Sequence, residues 1–183
     1  MAKVLVFFAE GFEEVEALTV VDLVRRAGID TTMVSITGNK KVTGSHGITV
    51  AMDELIDDIN FAEAQMIVLP GGMPGTRNLE AHDDLMRNVD DYCSSGRYVA
   101  AICAAPTILG HRGLLVGKKA CCYPGLEDQL QGAEVTKDKV TVADKIITSR
   151  GVGTAIPFGL KIVETLIDKD TADNLASAIV FRA

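Results

Sequence analysis

The segment VAAICAAPTIL, residues 99–109, sets one cysteine between an apolar run and what reads as the start of a helix. A thiol so placed has two uses. It can fill space as a small buried side chain, or it can stand as a nucleophile at a strand-to-helix elbow. There the chain reverses so sharply that the flanking side chains must be small. Ala101, Ala104 and Ala105 meet that demand around Cys103, and Pro106 falls in the first helical turn, where its missing N–H costs nothing. The free N–H groups of a helix start favour a thiolate, and cysteines in such settings have pKa values of roughly 3.5–7.5. This predicts a Cys103 largely ionised near neutral pH. On these residues alone packing and nucleophilic attack both stand, and attack needs a second group to manage the proton.

Glu16 is that candidate. On a helical wheel of about 100° per residue, the stretch Glu13–Ala27 places Ala17, Val20, Val24 and Ala27 along an apolar stripe, edged by Val21 and Leu23. Asp22, Arg25 and Arg26 lie opposite, Glu14 lies toward the margin, and Glu13 at the very start can escape to solvent. Acids in a first turn suit the helix dipole, which accounts for Glu13 and Glu14. Glu16 instead falls between Leu23 and Ala27, inside the stripe. A carboxyl there loses hydration and holds its proton more tightly, so it could hydrogen-bond a thiolate or carry a proton.

These two residues need elements that bring them together. Strands are predicted at Lys3–Ala9, Asp30–Thr37, Ala64–Leu69, Tyr98–Ile102, Lys118–Tyr123 and Ile146–Ser149, with a small hairpin around Gly44–Gly47. Helices are predicted at Glu13–Ala27, His82–Ser94, Ala104–Arg112, Thr154–Asp168 and Thr171–Phe181. Alternating strands and helices argue for an α/β fold with a mostly parallel sheet. In such sheets functional groups gather beyond the carboxyl ends of the strands, where both Cys103 and the start of the Glu16 helix would lie. No linker or repeat divides the chain, so a single domain, 1–183, is expected.

The bulk numbers narrow the class. The chain has 183 residues, 48% of them hydrophobic, and a formal net charge of −7. That balance argues against nucleic acid as a partner. No stretch reaches the roughly 20 apolar residues that span a bilayer, so no membrane association is expected. VLVFFA meets Glu10, Glu13, Glu14 and Glu16 at once, unlike a signal peptide. Four cysteines without regular spacing point to free thiols and a cytoplasmic location. There is no CxxC, HExxH or Cys/His cluster to suggest a metal, and RGVGT lacks the remaining features of a dinucleotide or P-loop fingerprint. No cofactor is expected.

EGFEEVEAL (10–18), VVDLVRRAGI (20–29), VLPGGMPGTRNL (68–79), AAICAAPTIL (100–109) and TSRGVGTAIPF (148–158) occur in this order along nearly the whole chain. In this it resembles the ThiJ/PfpI superfamily, in the branch of the Parkinson's-associated protein deglycase and its small bacterial relatives. The resemblance implies a flavodoxin-like three-layer sandwich and a homodimer. It implies that Cys103 is the nucleophilic, oxidation-prone thiol, with Glu16 hydrogen-bonded to it and the backbone amides of Gly72 and Ala104 placed to hold an oxyanion. The activities it implies are cofactor-free glyoxalase or deglycase chemistry on methylglyoxal-type dicarbonyls or glycated amines. The alternative it implies is redox sensing or protein holding, with Cys103 oxidised to a sulfinate. One position departs from the branch, which usually carries a histidine before a proline where this chain has Tyr123 before Pro124. Tyrosine, with a pKa of about 10, donates hydrogen bonds at neutral pH rather than acting as a base. Three further residues stay open between two roles: His46 between a site residue and a solvated loop, Arg26 between a dimer contact and a surface ion pair, and Arg150 between holding the loop near the cysteine and capping carbonyls.

Overall fold

The structure is a computed structural model that describes residues 3–182. In chain order its regular elements begin with β1 (Lys3–Phe8), α1 (Glu14–Arg26), β2 (Asp30–Ser35), the hairpin β3 (Lys41–Thr43) and β4 (Thr49–Ala51), and β5 (Glu54–Leu55). They continue through β6 (Met66–Leu69), α2 (Gly75–Glu80), α3 (Asp83–Ser94), β7 (Tyr98–Ile102), α4 (Pro106–His111), β8 (Lys119–Ala120) and β9 (Glu134–Val135). The chain then runs through β10 (Val140–Ala143), β11 (Ile146–Ser149), α5 (Ala155–Leu166) and α6 (Lys169–Ala178).

Seven strands form one sheet in the order β10-β11-β7-β6-β1-β2-β5, and every pairing is parallel except β10 with β11. Side chains alternate across each strand, so both faces must be covered. Val4, Val6, Phe8, Val68 and Ile102 pack on one face against α1, α5 and α6. Leu5, Phe7, Ile67, Leu69 and Ala101 pack on the other, against α2, α3 and α4. The result is the three-layer α/β sandwich expected. No helix among the described residues is long and apolar enough to cross a membrane, and the four cysteines are free thiols.

Three elements differ from expectation. The predicted strand Lys118–Tyr123 shrinks to β8 and pairs with β9 outside the main sheet. Cys121 and Cys122, beyond it, are buried in irregular chain. The six-residue helix α2 is too short to show a period, and β5 joins the sheet through two residue pairs. The strand order reverses between β1 and β6, because the chain first builds outward through β2 and then through β7 and β11. A crevice opens at such a reversal, at the carboxyl ends of the strands.

Candidate active site

Four chain segments leave the sheet at that crevice: Ala9–Glu13 after β1, Pro70–Gly72 after β6, Cys103 after β7 and Arg150–Thr154 after β11. They surround a cleft of about 990 Å³ whose walls include Glu16, Gly72, Cys103, Ala104, Tyr123 and Arg150. Cys103 sits at φ 65°, in the left-handed region. For a residue with a side chain that conformation costs on the order of 1–3 kcal/mol and persists only where neighbours impose it. Here its N–H donates to the Ser149 carbonyl at 3.0 Å, and its carbonyl accepts the Tyr123 N–H at 2.8 Å. The following turn closes through the Ala105 N–H on the Ile102 carbonyl at 3.1 Å, and α4 opens on Pro106. Ala101, Ala104 and Ala105, the small residues read around the elbow, are all buried.

Glu16 reaches the thiol because α1 is clamped to the turn after β6. The Glu13 N–H donates to the Gly71 carbonyl at 2.9 Å, and the Gly71 N–H donates to Glu16 Oε2 at 3.0 Å. Glu16 is fully buried, and its other oxygen, Oε1, is sealed from solvent without a hydrogen-bond partner. A Cβ on Gly71 would lie 2.5 Å from Cys103 Cβ, 2.6 Å from Glu16 Oε2 and 3.0 Å from Sγ. Only glycine lets acid and thiol meet. Gly71 was passed over in the sequence in favour of Gly72, although the Gly-Gly pair after a strand carried the signal. We predict that Gly71→Ala lowers any Cys103-dependent rate about 10²-fold by separating the two groups. Its effect on alkylation of Cys103 and on turnover can be measured together, and a variant with wild-type rates would show that the contact is dispensable.

The electrostatics set burial against the helix start. Burial pushes the Cys103 thiol up to about 12, helped by the charge and hydrogen bond of Glu16, while the N–H groups of Ala104 and Gly72 at the sulfur work in the opposite direction. Burial beside an acid therefore works against the helix start, which by itself favours a thiolate. Burial likewise raises Glu16 to about 7, against the hydrogen bonds from Cys103 and Gly71 and with a smaller push from the charge of Glu13. Between those limits the pair keeps one proton, shared by sulfur and carboxyl.

Glu14 also departs from the helical wheel. It is buried rather than marginal. Its Oε1 accepts the His46 N–H at 2.8 Å and its Oε2 bonds His46 Nδ1 at 2.9 Å, so it holds the turn of the β3–β4 hairpin against α1. Burial alone would raise its pKa, but these bonds and its other backbone contacts hold it down to about 2. A carboxylate depressed in the folded state stabilises the fold above its ordinary value of 4.5, and that contribution fades as pH falls toward 2. We predict that Glu14→Gln lowers the unfolding free energy by about 2 kcal/mol at neutral pH. In urea melts the gap to wild type should close in acid; a gap independent of pH would contradict the assignment. Glu13, Glu14 and His46 bring donor atoms within 4.8 Å of one another, a metal-binding composition. Both Glu14 oxygens are already engaged by His46, so hydrogen bonds satisfy this group.

The structure thus brings Cys103, Glu16, Gly72, Ala104, Tyr123, His46 and Arg150 to one cleft. It does not bring Arg26, which pairs with Asp22 at 2.6 Å on the exposed face of α1. Tyr123 serves the elbow through its backbone, and its half-exposed ring lies beside Gly151. Arg150 does cap a carbonyl, that of Lys137 at 3.4 Å, while also lining the cleft. Sequence reading missed Ser149, whose carbonyl anchors the elbow; its place at the end of β11 was the available hint.

Residues 2–165 match the DJ-1/PfpI family. The chain is 39% identical over 182 residues to protein DJ-1 homolog B of Arabidopsis thaliana, covering 98% of this chain but only 42% of that protein's length. It is 30% identical over 167 residues to glutathione-independent glyoxalase DJR-1.2 of Caenorhabditis elegans, covering 91% of this chain and 89% of that one. Among solved structures it is similar to Toxoplasma gondii DJ-1, oxidized, with a TM-score of 0.96, 35% identity and full coverage of both chains.

Proposed function

We propose that this chain, which belongs to the DJ-1/PfpI family, is a cofactor-independent, cysteine-dependent glyoxalase or deglycase. In this reading it acts on methylglyoxal-type dicarbonyls or their adducts as a cytoplasmic homodimer of one domain, 1–183. The observation that carries the proposal is the pairing of a strained, cleft-lining thiol with a buried carboxyl of raised pKa, both packed against Gly71. The C. elegans relative named a glutathione-independent glyoxalase supports the choice of substrate class.

The chemistry follows from the pair. The Cys103 sulfur adds to the aldehyde carbon while its proton passes to the Glu16 carboxylate. The carbonyl oxygen gains the electron pair, and the Gly72 and Ala104 amides, no longer needed by an anionic sulfur, hold it. Glu16 returns the proton to that oxygen to give the hemithioacetal. It then takes the C1 proton and delivers one to C2, leaving a lactate thioester. Water cleaves the thioester, so one methylglyoxal and one water give one lactate and free thiol. The test is lactate formation from methylglyoxal by the purified chain without added glutathione, beside the Cys103→Ser variant. Lactate from the wild type alone supports the reading, and none from either overturns it.

A second reading, redox sensing through a Cys103 sulfinate, is favoured by the solved oxidized form of the Toxoplasma relative. Mild peroxide followed by mass spectrometry separates the two. Gain of two oxygens at Cys103 alone, without carbonyl turnover, supports sensing; oxidation spread over all four cysteines counts against it.

A further inference from the structure

Most lysines and arginines described in this acidic chain sit in ion pairs with carboxylates, as Arg25 does with Asp53 and Lys161 with Glu164. Lys137, Lys139 and Arg150 take part in none of the ion pairs among the described residues, yet all three line the Cys103 cleft. Both lysines are exposed. Arg150 and Lys137 act on Glu127, whose carboxyl their charge helps to hold below its ordinary pKa, after its backbone hydrogen bonds.

Their position follows from the sheet order. Lys137 and Lys139 precede β10 and Arg150 follows β11, at one edge of the sheet, while Glu13 and His46 reach the cleft from the β1 side. Cys103 and Gly72 arrive between them, from β7 and β6. The cationic loop is tied to the elbow through one residue: the Ser149 hydroxyl donates to the Lys139 carbonyl at 2.7 Å, and the Ser149 carbonyl accepts the Cys103 N–H at 3.0 Å. Arg150 Nη1 on the Lys137 carbonyl adds a second tie. Cations outside any ion pair on one wall, facing Glu13 and His46 on the other, make an asymmetric cleft, and at about 990 Å³ it holds far more than a three-carbon dicarbonyl.

We propose that Lys137, Lys139 and Arg150 form a subsite for a carboxylate or phosphate group carried by the carbonyl compound that Cys103 attacks. This rests on the carbonyl reading above and narrows it to anionic substrates. On the β1 side Glu13 already faces His46 at 3.7 Å, so the substrate lies with its anion toward the β10–β11 edge and its carbonyl over the sulfur.

The test separates charge selection from turnover. Cys103 is alkylated with iodoacetate, which is anionic, and with iodoacetamide, its neutral counterpart, and the product is read on the Cys103 peptide by mass spectrometry. In each case sulfur displaces iodide, so the ratio of the two rates reports the field at the thiol alone. Lys137→Glu combined with Lys139→Glu is expected to lower the iodoacetate-to-iodoacetamide ratio about tenfold, at the lower end of what charge focusing in a cleft supplies. Added salt should lower the wild-type ratio in the same direction. An unchanged ratio in the variant overturns the subsite, whether or not any dicarbonyl is turned over. In a second arm dioxovalerate, a carboxylate-bearing oxoaldehyde, and hydroxypyruvaldehyde phosphate are compared with methylglyoxal as substrates. The anion whose KM rises most in the variant, relative to methylglyoxal, is the group the subsite takes. A ratio that moves while no oxoaldehyde reacts upholds the anion site and removes the glyoxalase reading.

Discussion

Cys103→Ser is expected to form lactate from methylglyoxal more than about 10⁴-fold more slowly than the wild type, with the fold kept. The substitution changes one atom. The elbow is imposed by backbone hydrogen bonds to Ser149 and Tyr123, not by the sulfur, so the side chain keeps its place at φ 65°. What changes is the nucleophile. A serine hydroxyl holds its proton far more tightly than a thiol, and Glu16, with a pKa of about 7, is too weak a base to remove it. Oxygen is also the poorer nucleophile toward an aldehyde under these conditions. The measurement is lactate production at neutral pH, with a urea midpoint showing that the variant is folded. A folded variant within tenfold of the wild-type rate would show that the thiol does not attack.

The second large effect is at Glu16 and has a pH signature. In the wild type kcat/KM is expected to rise with pH through about 7, because only the ionised carboxyl can accept the thiol proton and burial has raised its pKa to that value. Below it the carboxyl carries its own proton and attack slows; above it the pair has lost one proton and the rate levels off. Glu16→Gln should lower kcat/KM about 10³-fold, within the usual reach of general acid–base catalysis, and should abolish this limb. Glutamine still accepts the Gly71 N–H through its carbonyl oxygen, so the clamp between α1 and the turn after β6 survives. A variant that keeps the limb near 7 would assign the titration to another group. The profile also separates this role from a packing role, which would alter rate and stability without moving the limb.

The two groups behind these effects differ in how far the sequence alone reveals them. Glu16 is legible because it breaks the apolar stripe of its own helix, a pattern contained in one segment. Cys103 is legible as an elbow because the small residues and Pro106 around it satisfy a local steric demand. The sandwich is legible for the same reason: strand and helix periods repeat within each element, and the long elements fall within a few residues of expectation. Short elements such as α2 and β5 carry too few residues to show a period, and only contacts from elsewhere stabilise them.

Tertiary structure decided the chemistry of the pair. Taken by itself, a cysteine at a helix start predicts a thiolate, whereas in the fold burial and the neighbouring acid oppose the amides of Gly72 and Ala104. Glu14 looked marginal on its helix and became a buried anchor only when the β3–β4 hairpin folded over it. Gly71, Lys137 and Lys139 lie in three-dimensional contact with a site whose other members come from different strands. The residue pattern determined which elements form and which side chains break their rules. Which groups share a dielectric, a proton and a cleft depended on the order of strands in the sheet, since ionisation responds to neighbours in space rather than along the chain.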